Sequence, residues 1–188
     1  MAEDNKNSVD TSDIVRLWDK SKSEIFRLQL LNTYRVKEEE EDFNKYMSGK
    51  VIDLDGNPDT KAWMDSLRKK REENVRNVNL VVVDLPLSDY VRFAIDVHYS
   101  KQVHAGREVL FLNRKDADGL LSGHKDYWEF DSEVVMLMNY DSEGHFLSGG
   151  PVITDKAIVG RYTSLKNILL KRAVPMDDFL RLNGIDIS

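Results

Sequence analysis

The stretch "VNLVVVDLP", residues 78–86, constrains the fold more than any other. It is a continuous β-branched, apolar run bounded by proline. A strand apolar on both sides must be covered on both faces, which calls for a sheet with helices packed against it. The neighbouring sequence supplies those layers. "LSDYVRFAIDVHYSKQVHAG" (87–106) reads as helical over much of its length, with Ser88 as N-cap and Gly106 as the close. "REVLFLNR" (107–114) reads as a strand. "DYWEFD" and "VVMLMNYD" read as two strands joined through Ser132 and Glu133. "EGHFLSGGP" reads as a loop or short third strand, with Gly149-Gly150 as a turn. "TDKAIVGRYTSLKNILLKRA" (154–173) is an amphipathic helix with Ile158, Tyr162, Leu165 and Leu169 as its stripe, stopped by Pro175. Strand, helix, strand, strand, strand, helix is an α/β (α+β) order: a mixed β-sheet covered by helices.

The first part of the chain reads as mainly helical. Residues 1–12 are expected to be a disordered lead-in, 13–175 one α/β domain with a helical part at 13–74 and a core at 75–175, and 176–188 a C-terminal tail. "TSDIVRLWDKSKSEIF" offers Thr11 or Ser12 as a cap and Ile14, Leu17, Trp18 and Ile25 as an apolar stripe. "FRLQLLNTY" (26–34) fits either a strand or a helix. In "KEEEEDFNKYMSGK", Phe43, Tyr46 and Met47 share a helical face and Gly49 suits the C′ position. The acidic run Glu38 to Asp42 reads as a solvated first turn, with a metal or basic partner as the alternative. In "VIDLDGNPDT", Asp53, Asp55, Asn57 and Asp59 alternate as calcium ligands do. Pro58 and Met64 then occupy the positions where an EF-hand needs glycine and glutamate, so no EF-hand is expected. The helix "TKAWMDSLRKKREENV" carries Trp63 and Leu67 on one side and a basic cluster, Arg68 to Arg71, followed at once by Glu72 and Glu73.

Charge and composition remove several function classes. Net charge is −6, which argues against a general nucleic-acid binder. With no cysteine there is no thiolate nucleophile, disulfide or Cys-based zinc site. The polar, acidic start is unlike a signal peptide and no apolar run approaches a membrane span, so cytoplasmic residence and no membrane partner are expected. No P-loop, dinucleotide fingerprint or Ser-His-Asp order is present, and no cofactor or metal is expected.

"HAGREVLFL", followed by "WEFDSEVVMLMNYDSEG" and the closing helix ending in "LKRAVP", resembles one half of a phospholipase D-like domain, over roughly 75–175. The resemblance implies a phospholipase D-like topology and a His-x-Lys-x-x-x-x-Asp motif in "HKDYWEFD". His124 holds the histidine position and Asp131 the aspartate position. The lysine position falls on Asp126, and Lys125 is one residue early, on the opposite side of an extended chain. In that superfamily the histidine attacks phosphorus, the lysine neutralises the phosphoryl oxygens and the aspartate orients the histidine. Two such motifs are needed, which makes a homodimer one reading. Asp126 would repel a phosphodiester.

The full set of phrases, "EIFRLQLLNTYRVKEEEEDF", "VDLPLSDYVRFAI", "HAGREVLFL", "YWEFDSEVVM" and "DKAIVGRY", is similar to an uncharacterised bacterial domain family common in actinomycetes. That likeness implies a regulatory or accessory role near small helix-turn-helix regulators. In "PLSDYVRF", Asp89, Tyr90 and Arg92 sit beyond the end of the buried strand, where α/β sheets form pockets. They read as a ligand clamp, or as a cap and ion pair. Tyr127 and Trp128 read as pocket-lining or core residues. The expected function is a non-catalytic ligand-sensing or protein-interaction accessory protein, binding a small ligand or a protein partner. The alternatives are a dimeric phosphodiesterase or nuclease using His124, Lys125 and Asp131, and a toxin- or antitoxin-type partner of a small DNA-binding regulator.

Overall fold

A computed structural model describes residues 11–52, 56–117 and 119–186. A single seven-stranded sheet organises them, in the order β6-β5-β4-β1-β2-β3-β7. The strands are β1 (Glu24–Gln29), β2 (Arg76–Val83), β3 (Glu108–Asn113), β4 (Tyr127–Phe130), β5 (Val134–Tyr140), β6 (Phe146–Ile153) and β7 (Val174–Pro175). β1, β2 and β3 run parallel; β4, β5, β6 and β7 join antiparallel. The helices are α1 (Thr11–Lys20), α2 (Glu40–Met47), α3 (Pro58–Glu72), α4 (Asp89–Phe93), α5 (Ser100–Ala105), α6 (Lys156–Leu170) and α7 (Met176–Leu182). This is the mixed α+β fold that the apolar run at 78–86 requires.

"FRLQL" resolves as strand, and it is the central strand of the sheet. The region read as mainly helical therefore supplies the middle of the core. The segment 176–188, read as a tail, contains α7, whose Phe179 is buried against Phe111. Residues 1–10 lie outside the described residues, and helix begins at Thr11. "EGHFLSGGP" gives an eight-residue strand, so Gly149 and Gly150 are strand residues rather than a turn.

Because side chains alternate along a strand, the registers sort the core into two faces. Phe26, Leu28, Val78, Leu80, Val82, Tyr127 and Val135 form the back face, closed by α6 through Val159, Leu165 and Leu169. Ile158, placed in the α6 stripe by spacing, is exposed instead, while Lys166 is buried. The front face is closed at one end by α1 and α3, around Trp18, Met64, Leu67, Phe130 and Met136. At the other end α4, α7 and the turn after α4 pack on Val81, Val109 and Phe111. Between these two apolar clusters the front face is polar: Arg27 and Gln29 from β1, Asn79 from β2.

The helix after β2 is not regular. Ser88 caps α4 by accepting from the Val91 amide, as its sequence position predicts. From Ala94 to Tyr99 the helix opens into a π turn before α5 resumes. Such turns are rare and concentrate at functional sites. Gly106 ends α5 with φ +106, and a Cβ there would meet Arg71 Cδ at 2.5 Å. The position therefore needs glycine, and the close delivers Arg107 to the start of β3.

Candidate functional site

The polar band on the front face is the floor of a cavity of about 520 Å³. β1 and β2 contribute Arg27, Gln29 and Asn79; β4 contributes Trp128; the π turn contributes Ala94, His98 and Tyr99; Arg107 enters from the end of α5. Tyr34, Tyr90, Tyr140 and Trp63 complete the walls. The floor is buried. The outer side is formed by Glu38, Glu39, Asp42 and Asp59, which are exposed or half-buried.

Arg27 sits under 6% exposed at its side chain and ion-pairs with buried Asp126 at 3.2 Å. The same Nη2 donates to the Tyr140 hydroxyl at 2.9 Å. Asp126 also accepts from the Tyr34 hydroxyl at 2.6 Å and the Leu30 amide at 2.9 Å. Burial pulls the Arg27 guanidinium down, but Tyr140, Asp126 and Tyr34 together hold it above its ordinary value. Burial and then the Asp126 charge push the Tyr34 hydroxyl well up, and burial raises Tyr99 and Tyr140. The phenols are neutral and serve as hydrogen-bonding groups.

Arg107 is the contrasting case. It is buried, and among the described residues its guanidinium makes one hydrogen bond, from Nη1 to Gln102 Oε1 at 2.8 Å. Its Nε and Nη2 have no hydrogen-bond partner among the described residues. No carboxylate among the described residues lies within ion-pair distance of it. Its guanidinium lies 5.5 Å from the Trp63 ring and 5.6 Å from the Trp128 ring, contacts that hold the group between two π faces. Burial lowers it to about 9, which still leaves it charged at neutral pH. Among the described residues, five of the eight buried side-chain atoms without a hydrogen-bond partner belong to residues lining this cavity: Arg27 Nη1, Asn79 Oδ1, Arg107 Nε and Nη2, and His98 Nε2, which lies 3.6 Å from a Glu39 carboxylate oxygen. Buried polar groups are nearly always satisfied, so a cluster of unsatisfied ones around one hollow marks a place where something exchangeable binds.

The residues singled out from sequence scatter. His124 and Asp131 sit beyond opposite ends of β4. His124 lies against Tyr162, with ring centroids 5.9 Å apart. Asp131 takes φ +54, and its carboxylate accepts from the Lys22, Ser23 and Glu24 amides and the Ser23 hydroxyl. It latches the hairpin to the start of β1. Lys125 is exposed and donates to Asn139 Oδ1 at 2.8 Å. Asp126, the residue at the lysine position, is the one that reaches the cavity network. The proposed clamp does not form: Asp89 is exposed and Arg92 turns toward the Asp186 carbonyl at 3.5 Å. Tyr90 and Trp128 do line the cavity; Tyr127 points into the back face beside Phe26. Of the alternating acids after α2, Asp53 and Asp55 lie outside the described residues, and Asn57 caps α3. The basic cluster on α3 is neutralised locally, Arg68 by Asp65 and Lys70 by Glu73. Among the described residues no cluster of His, Asp and Glu suits a metal ion, and no helix is long and apolar enough to cross a membrane.

Sequence reading passed over Arg27, Gln29, Asn79 and Arg107. The signal for the first three was there. In "IFRLQ" and "NVNLVVV" a polar residue occupies alternate positions of strands otherwise built for a core. A buried-face arginine opposite a buried-face asparagine is a cost to folding that needs a reason.

No curated protein matches the chain. Among solved structures, TrmBL2, an archaeal chromatin protein described as showing a novel mode of DNA binding, is 11% identical with a TM-score of 0.49. That likeness covers 90% of this chain and 53% of the other, so this chain spans about half the length of that neighbour. A family model covers nearly everything described above, from residue 12 to residue 181, and by that match the chain belongs to the family described as a domain of unknown function, DUF6879.

Proposed function

We propose that this protein is a non-catalytic ligand-sensing module that binds a small anionic molecule in the front-face cavity. The observation that carries this is Arg107: a buried guanidinium with two free donors and no carboxylate. A charge in that setting is costly for the empty protein and is stabilised when an anion arrives. The cavity is of ordinary size for a small ligand, apolar and aromatic in its walls, with a few convergent polar groups.

The dimeric phosphodiesterase alternative draws no support from the positions of His124 and Asp131, which lie beyond opposite ends of β4. Thermal melts with added acetate, benzoate and phosphate test the binding reading. Anions should raise the wild-type Tm in a concentration-dependent way, and Arg107→Met should remove the response. Equal responses from both proteins would sink the reading.

A further inference from the structure

The chemistry of the cavity narrows the ligand. Within this protein Arg76 shows how an open guanidinium edge is used: Nε and Nη2 donate to the two oxygens of Glu108 at 2.9 and 2.8 Å. Arg107 has that same Nε/Nη2 edge without a hydrogen-bond partner among the described residues, both atoms covered from solvent. Two parallel donors of that kind match a planar pair of oxygens. Arg27 Nη1 adds one more unpartnered donor on the same floor.

Charge counting limits the ligand further. The floor holds two guanidinium groups and one carboxylate, Asp126, and its tyrosines are held neutral by burial. Burial also keeps the His98 imidazole below its ordinary value. One positive charge is therefore left to match. The exposed side of the same cavity carries Glu38, Glu39, Asp42 and Asp59. Lys45 offsets Asp42 in part at 3.4 Å, and the Lys101 charge reaches His98. A ligand with a second negative charge, or one extending its charge outward, meets this acidic rim. The walls, which include Trp63, Trp128, Tyr34, Tyr90 and Tyr140, suit a flat apolar body.

Resting on the binding reading above, we infer that the ligand is an aromatic monocarboxylate, its carboxylate on the free edge of Arg107, and that the acidic rim excludes dianions. Calorimetry on the full chain with phenylacetate, phenylacetamide and phenyl phosphate tests this near neutral pH. Phenylacetate should bind about ten-fold more tightly than phenyl phosphate, and the amide should not bind measurably. The exposed rim pair Glu38→Gln and Asp59→Asn should narrow that preference several-fold, tightening phenyl phosphate more than phenylacetate. Phenyl phosphate binding as tightly as phenylacetate overturns the monocarboxylate inference and leaves the anion-binding reading standing. So does silence toward both probes in a protein whose Tm still responds to acetate or phosphate through Arg107. Silence toward every anion, with Arg107→Met indistinguishable from wild type, overturns both.

Discussion

The two faces of the sheet both bury charge, but only one of them balances it. On the back face Lys166 is 3% exposed at its side chain, pairs with buried Glu129 at 2.6 Å and with Glu24, and donates to Ser132. Every charge there has a neighbour of opposite sign. On the front face Asp126 serves Arg27, while Arg107 has Gln102 Oε1 and no carboxylate among the described residues. The imbalance is local to the cavity, and local departures from good folding rules are where function concentrates.

Paired and unpaired buried charges should answer mutation with opposite signs. Lys166→Met leaves Glu129 buried without its cation and should cost about 3–5 kcal/mol in urea unfolding. Asp126→Asn on the front face should cost a similar amount, because Arg27, Tyr34 and the Leu30 amide all lose their carboxylate. A cost under 1 kcal/mol for either would break the picture of a matched charge network. Arg107→Met should instead stabilise the ligand-free protein by on the order of 1 kcal/mol, with the lost Trp contacts partly offsetting the gain. Clear destabilisation would make Arg107 a structural residue and erase the difference between the faces.

A smaller contrast separates the two ends of β4. Asp131→Ala should cost about 1–2 kcal/mol, since its carboxylate satisfies three amides and a hydroxyl at the start of β1. His124→Ala should change stability by less than about 0.5 kcal/mol, although the two residues share one motif-like phrase. The smallest effect is the pH response of His98. Burial lowers its folded value, so the unfolded chain takes up the proton first as pH falls below about 6.5. Stability should decline over that interval, as the unfolded state then binds more protons, and His98→Gln should flatten the decline in melts followed across acid pH.

The placement of side chains shows why some readings transferred and others did not. Ser88 and Gly106 were legible because capping depends on residues close in the chain. The strand "FRLQL" was ambiguous because a short apolar run has no period of its own; its partners β2 and β4 are about 50 and 100 residues away. "HKDYWEFD" looked like a site because its residues are close in sequence. In an extended strand that closeness spreads them along its length, and the residue that mattered, Asp126, was the one that broke the motif.

The sequence alone determined the class of fold, because a strand apolar on both sides admits only covered sheets, and it marked the helix ends at Ser88 and Gly106, because caps are local. It also wrote the polar positions of the cavity into two strands. Only the tertiary structure decided that those positions face one hollow, that Arg27 has a counter-ion there and that Arg107 has none. Pairing between residues far apart in the chain depends on register and packing, and a charge becomes a binding site only when the folded surroundings leave it unanswered.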